Sequence, residues 1–262
     1  MMIPQKQDGT NGPIKAGTGG RSLLPKVEAH CPKHGKYEAT KCGHIVQGCP
    51  KCQAEERASE KGVVINLHNK AVAMNRYACG FPKRFACSSF GNFKVDNDGQ
   101  QYALNTAKGY AENFRSDAHA TGTCLSFMGT VGTGKTHLAC AIGNKVLDEG
   151  LKVLYTTARQ AVNAIKETWR RDSKTTESQI LAKFLAPDLL VFDEVGVQFN
   201  TEAEKVLMFD IFDGRYGRML PSVVVSNLSL EGLEIYMGNR SVDRLRENGG
   251  PLVEFKWESF RR

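Results

Sequence analysis

Residues 129–136 read Gly-Thr-Val-Gly-Thr-Gly-Lys-Thr, the pattern G-x-x-x-x-G-K-[ST] of a phosphate-wrapping loop. Each residue type has a physical reason. Glycine lets backbone N–H groups close around phosphate oxygens where a Cβ would collide or forbid the backbone angles. The helix that follows aims its positive N-terminal end at the same anion. The expected contacts are therefore the backbone of Gly129, Thr130, Val131, Gly132, Thr133 and Gly134, the Lys135 amine on the β- and γ-phosphates, and the Thr136 hydroxyl on Mg²⁺. His137 and Cys140 come next on the helix and read first as packing residues, with His137 kept among the nucleotide-contact candidates.

A second segment completes that chemistry. Four apolar residues, Leu189, Leu190, Val191 and Phe192, run into Asp193 and Glu194. An aspartate at the carboxyl end of a buried strand is placed to hold Mg²⁺. The adjacent glutamate is placed to orient or deprotonate a water. A third strand ends at Ser226-Asn227, where Asn227 either positions that water or, like Ser229, caps the next helix. Together these predict an enzyme that binds and hydrolyses ATP.

A separate cluster lies upstream. Of eight cysteines, Cys31, Cys42, Cys49 and Cys52 fall within 22 residues. Cys31-x-x-His34 and Cys49-x-x-Cys52 flank a 14-residue spacer, and each pair has the spacing that brings two ligands to one tetrahedral ion. Zn²⁺ held by Cys31, His34, Cys49 and Cys52 is the expectation. Cys42 and His44 are alternative ligands, and a free-thiol loop is the bland reading. Four protein ligands leave no open position, so the zinc would be structural.

The elements that position these groups alternate. Strands are predicted at 123–128, 152–156, 189–192, 222–226 and 252–257. Helices are predicted at 135–147, 158–170, 177–185, 202–216, 230–237 and 242–246. Such alternation gives a parallel sheet covered on both faces. Upstream, a helix is expected to start within 53–61 and run to 78, broken by Gly80-Phe81-Pro82. Another is expected over 102–118, with Tyr102, Ala103, Ala107, Tyr110 and Phe114 on its apolar stripe.

Bulk properties narrow the function. The chain has 262 residues, 41% hydrophobic and 24% charged, an ordinary globular composition. No apolar run reaches the ~18–20 residues of a membrane span, so no membrane partner is expected. The first residues carry no apolar signal core, and a cytoplasmic location is the default. The net charge of +7 suits a polyanion such as nucleic acid. Within Lys166–Lys174, Trp169 beside Arg170 and Arg171 offers a base-stacking surface with phosphate-binding charge. The competing reading is a helix end whose Trp packs inward.

The stretches GTVGTGKTHLACAIGN, LLVFDEVGVQF, AEKVLMFDIFDGRY, SVVVSNLSLEGL and NRSVDRLRENGG, followed by EFKWESFRR, resemble the DnaC-like helicase loaders of phage and prophage type, within the AAA+ ATPases. With FPKRFACSSFGNFKV upstream, the resemblance spans roughly residues 80–262. It implies an α/β AAA+ P-loop fold, a parallel sheet flanked by helices, to which the Cys/His spacing adds the small N-terminal zinc-binding module. It implies an ATPase that places a replicative hexameric DNA helicase on single-stranded DNA, with self-association through the AAA+ domain. Arg244 matches the family's arginine-finger position and Arg240 is the alternative. Arg261 is similar to a position proposed to sense nucleotide in cis. The implied organisation is a disordered tail (1–26), the zinc module (27–56), a helical linker and entry segment (57–100) and the ATPase domain (101–262).

The zinc module departs from the best-known bacterial loaders, although related phage loaders carry something similar. Helicase docking and DNA contact are both open to it. A transposition helper ATPase of the IstB type shares much of this core and is the second functional reading. Intact Lys135, Asp193 and Glu194 argue against a repressor with a vestigial ATPase, and the absence of an evident acceptor site argues against a small-molecule kinase.

Overall fold

The computed structural model describes residues 25–42, 45–196 and 202–261. The expected disordered tail, 1–26, falls almost wholly outside the described residues. The chain divides into two compact units, Met1–Ile65 and Asn66–Arg262, with the division falling inside a helix.

In the first unit, β1 (Lys26–Cys31) and β2 (Gly35–Cys42) form an antiparallel pair, and β3 (Ile45–Val46) adds to the other side of β2. Gly35 takes φ +76° in the turn between β1 and β2, a left-handed angle that glycine adopts without a steric cost. The helix α1 (Pro50–Ala78) follows. It starts earlier than the 53–61 expected, because proline is well suited to the first helical turn, where its fixed φ helps and its missing N–H costs nothing.

The second unit carries a five-stranded parallel sheet. Two short 3₁₀ turns, Lys83–Phe85 and Phe90–Asn92, precede α2 (Asp98–Glu112) and α3 (Ala118–Thr121). Then come β4 (Leu125–Gly129), α4 (Lys135–Asp148), β5 (Val153–Thr157), α5 (Ala158–Thr168), α6 (Glu177–Leu185), β6 (Leu189–Val195), α7 (Glu202–Tyr216), β7 (Ser222–Ser226), α8 (Leu230–Met237), α9 (Asn239–Arg246) and β8 (Leu252–Phe255). The strand order is β5-β6-β7-β4-β8, all parallel. Side chains on one face of the sheet pack with Leu138, Ile142 and Val146, and those on the other with Ile211, Phe212 and Val242. This accounts for strands that are apolar along their whole length.

One predicted helix is corrected. The 102–118 segment is two pieces, α2 and α3, and Tyr102 is 61% exposed. The buried stripe of α2 is Ala103, Ala107 and Ala111, four residues apart. Asn97 caps the helix start by accepting from the Gln100 N–H. The small alanines let α2 lie close to its neighbours, which leaves Tyr102 on the outer side.

The order matters for the site. β7 lies between β4 and β6, so the residues that leave the carboxyl ends of these three strands are brought together at one rim.

Candidate functional site

The loop leaving β4 is held by its glycines and by a distant strand. Gly129 has φ +125°, and a Cβ there would lie 2.3 Å from the Phe255 carbonyl oxygen. Gly134, the residue before α4, has φ +94°, and its Cβ would lie 2.6 Å from the Phe93 ring. Side chains are excluded at both places. The Thr130 N–H donates to Phe255 O (3.3 Å), the Phe260 N–H to Gly132 O (2.9 Å) and the Trp257 indole N–H to Thr133 O (3.0 Å). The segment after β8 thus splints the loop.

Lys135 is 5% exposed and donates to the Gly129 and Thr130 carbonyls at 2.9 and 2.6 Å. Burial lowers its pKa to about 8; Asp193 opposes that shift and Arg261 adds to it. Thr136 donates its hydroxyl to Asp193 Oδ2 at 2.9 Å. Tyr155, from β5, donates to the same oxygen at 2.7 Å, and the Glu194 N–H donates to Asp193 Oδ1 at 2.7 Å. Asp193 is 3% exposed. A hydroxyl and a buried carboxylate side by side, with the lysine nearby, are the oxygen donors that hard Mg²⁺ takes. The residues therefore fit that ion.

Glu194 is bent out of the strand. The pairing of β6 with β7 shifts register between Phe192 and Val195, and Glu194 takes φ +57°. That angle costs of order 1–3 kcal/mol in a residue with a side chain. Its effect is that Glu194 is exposed on the cleft wall while Asp193 stays buried.

The cleft has a volume of about 400 Å³, within the usual range for ligand pockets. Val131, Lys135, Thr136, Asp193, Glu194 and Asn227 line one part, and Arg84, Phe93, Phe260 and Arg261 another. Asn227 is free for this role because Ser229 caps α8, accepting from the Gly232 N–H. His137 also lines the cleft, with Nε2 3.0 Å from Ser89 O. Thr133 is fully buried and donates to Thr130 O, which stiffens the loop from inside.

Neither Arg240 nor Arg244 lines the cleft of its own chain. Arg244 pairs with Asp213 and lies over the Tyr216 ring at 4.9 Å. Arg240, one turn earlier on α9, is exposed. The reading in which Trp169 packs inward is overturned: the residue ends α5 and is 60% exposed, with Arg170 and Arg171 exposed beside it.

In the first unit, the ligand atoms of Cys31, His34, Cys49 and Cys52 all lie within 4.8 Å of one another. Their spacing suits one tetrahedral ion. Zn–S and Zn–N bonds of the usual lengths put sulfurs about 3.8 Å apart and sulfur about 3.5 Å from nitrogen. The observed distances are 3.6 Å for Cys31–Cys52, and 3.7, 3.7 and 3.3 Å from His34 Nδ1 to Cys31, Cys49 and Cys52. His34 Nε2 is 3.0 Å from Glu55 Oε1, which turns Nδ1 toward the thiols, the usual outer partner of a zinc histidine. The backbone N–H groups of His34 and Lys33 lower the Cys31 thiol to about 6. His44 and the Cys42 side chain lie outside the described residues.

Sequence reasoning missed Tyr155, Phe93, Phe260, Trp257 and Glu55. Phe93, Trp257 and Phe260 fall in the stretches FPKRFACSSFGNFKV and EFKWESFRR without any sign there of a role at the loop; Tyr155 and Glu55 reach their sites only through the fold. No described helix is long and apolar enough to cross a membrane.

Comparison with known proteins agrees with this geometry. Residues 108–261 match the family described as IstB-like ATP binding protein. The replicative helicase loader DnaC of Escherichia coli K12 is 33% identical over 241 residues, 91% of this chain and 94% of that one. The YdaV protein of the same strain is 38% identical over 173 residues, 66% of this chain and 67% of its own. A crystal structure of the DnaC helicase loader superposes with TM-score 0.59 at 23% identity, covering 67% of this chain and all of that one. The fold is that of an AAA+ P-loop ATPase.

Proposed function

The chain belongs to the IstB-like ATP-binding protein family, and from that premise we propose that it is an ATPase that loads a replicative, ring-shaped DNA helicase onto single-stranded DNA. The observation that carries this reading is end-to-end likeness to a helicase loader, 91% of this chain against 94% of that one. The IstB-like match begins only at residue 108, so it speaks for the ATPase core that loaders and transposition helpers share.

In this reading Lys135 exchanges its two loop carbonyls for the β- and γ-phosphates. Thr136 and Asp193 would hold Mg²⁺, which would offset charge on the phosphates. Glu194 takes the proton of the attacking water, and Asn227 fixes that water's position. Arg244 acts on a neighbouring copy's cleft, because a planar cation stabilises charge spreading over the transferred group. To do so it must leave Asp213. That cost favours exposed Arg240 as the alternative finger.

Self-association of the ATPase units would make the nucleotide state visible to a neighbour. The exposed Trp169, Arg170 and Arg171 supply a surface for single-stranded DNA. The Cys31–His34–Cys49–Cys52 module, folded on Zn²⁺, supplies a separate docking surface. The protein works in the cytoplasm, where its helicase and DNA are found.

The test is helicase unwinding on DNA coated with single-strand-binding protein. Addition of this protein with ATP should raise helicase loading, and the helicase should co-purify with it. No stimulation and no co-purification would remove the loader reading and leave the transposition helper.

A further inference from the structure

Tyr155 stands at the middle of β5, in register with Val191 on β6, while Thr157 pairs with Asp193 itself. Its ring is wedged. It meets Phe81 edge-on at 5.9 Å and is 7% exposed, and its backbone N–H donates to Cys79 O at 2.7 Å. The chain that enters the ATPase unit thus grips Tyr155 from one side. From the other side its hydroxyl reaches Asp193 Oδ2.

A carboxylate offers about four lone-pair sites. Three of those on Asp193 are taken, by the Thr136 hydroxyl, the Tyr155 hydroxyl and the Glu194 N–H. One remains for a metal ion or its water. The Glu194 bond fixes one oxygen and the two hydroxyls fix the other, so the carboxylate cannot turn. The Thr136 hydroxyl is itself a candidate metal ligand, so its bond to Asp193 changes when the ion arrives. The Tyr155 bond does not depend on the ion.

We infer that Tyr155 is a positioning residue for the Mg²⁺ site, setting the orientation of Asp193 before the ion binds. The inference rests on the assignment of Asp193 to that ion. It goes beyond that assignment in naming a tyrosine on the neighbouring strand as the group that tunes metal affinity. Loss of such an outer partner lowers metal affinity about 10- to 100-fold.

The experiment uses the full chain and a fluorescent ATP analogue, titrated once in EDTA and once across Mg²⁺ concentrations, with Mn²⁺ bound to the nucleotide complex followed by paramagnetic resonance. Tyr155→Phe keeps the ring and the Phe81 contact and deletes only the hydroxyl. Affinity in EDTA should match the parent, which also shows that the variant is folded. The Mg²⁺ half-saturation should rise about tenfold or more, and the Mn²⁺ signal should broaden as Asp193 samples more than one orientation. Superimposable Mg²⁺ curves for parent and Tyr155→Phe overturn the inference. Asp193→Asn is run beside it. If Asp193→Asn also leaves the Mg²⁺ curve unmoved, the metal-site assignment itself has failed. If only Tyr155→Phe leaves it unmoved, the assignment stands and the tyrosine is mere packing.

Discussion

Raising the pH from 7 to 9 should weaken nucleotide binding about tenfold through Lys135 alone. The amine is 5% exposed, and burial brings its pKa down to about 8. With a pKa of about 8, about ten in eleven molecules carry the charge at pH 7 and about one in eleven at pH 9. Phosphate oxygens placed beside the amine favour its charged form, so binding raises this pKa. Full affinity is therefore present below pH 8 and is lost as pH rises through it. The nucleotide's own phosphates have a last pKa of about 6 and do not confuse this window.

Calorimetry in two buffers of different ionisation heat counts the protons directly. At pH 8.5 about three-quarters of a proton should be taken up per nucleotide bound, given the pKa of about 8. Arg261 contributes to the depression, so Arg261→Ala should move the midpoint upward. Equal affinity at pH 7 and 9, with no proton taken up at pH 8.5, would refute the lowered pKa of Lys135.

Three further outcomes are expected from the same geometry. Glu194→Gln should bind ATP normally and lose about 10²–10⁴ in turnover, the usual worth of a positioned base; parent-like hydrolysis would remove it from that role. Arg244→Ala should bind nucleotide without hydrolysing it, and mixing it with Lys135→Ala should restore part of the activity, because a mixed interface joins an intact cleft to an intact arginine. If co-assembled mixtures stay inactive at every ratio, Arg244 acting in trans is excluded. Purified, reduced protein should carry one zinc, and chelation should unfold the 27–56 module while ATP binding persists, since structural zinc is worth about 10–16 kcal/mol in small peptides. Elemental analysis finding no zinc and no uptake of added zinc would end that assignment.

The legible part of this site was the local part. Gly129 to Thr136 is one turn of chain whose residue types follow from phosphate chemistry alone. Asp193 and Glu194 end an apolar run, where a buried strand delivers its last residues to the ligand rim. Parallel pairing followed from strands alternating with helices along the chain. Tyr155 was illegible because its partner is set by the neighbouring strand: nothing near residue 155 says that β6 lies beside β5 with Asp193 two residues ahead in register. Glu55 was hidden for the same reason, since it meets His34 across 21 residues of chain. Tyr102 misled because an aromatic residue adjoining an alanine stripe looks like part of it, whereas close helix packing selects the alanines. Trp169 could not be placed from sequence, because a helix end looks alike whether its last ring turns in or out.

The splint on the phosphate loop also sets a moment in the protein's synthesis. The Thr130 hydroxyl meets Trp257 O across 127 residues, and the Trp257 indole meets Thr133 O across 124. A chain emerging from the ribosome therefore exposes a complete glycine-rich motif long before this splint can hold it. Contacts this remote in sequence form late because their loop-closure entropy must be met first. Nascent protein should remain blind to ATP until Phe260 has cleared the exit tunnel, and competence should then arrive in one step. An unfinished chain should therefore sequester no nucleotide.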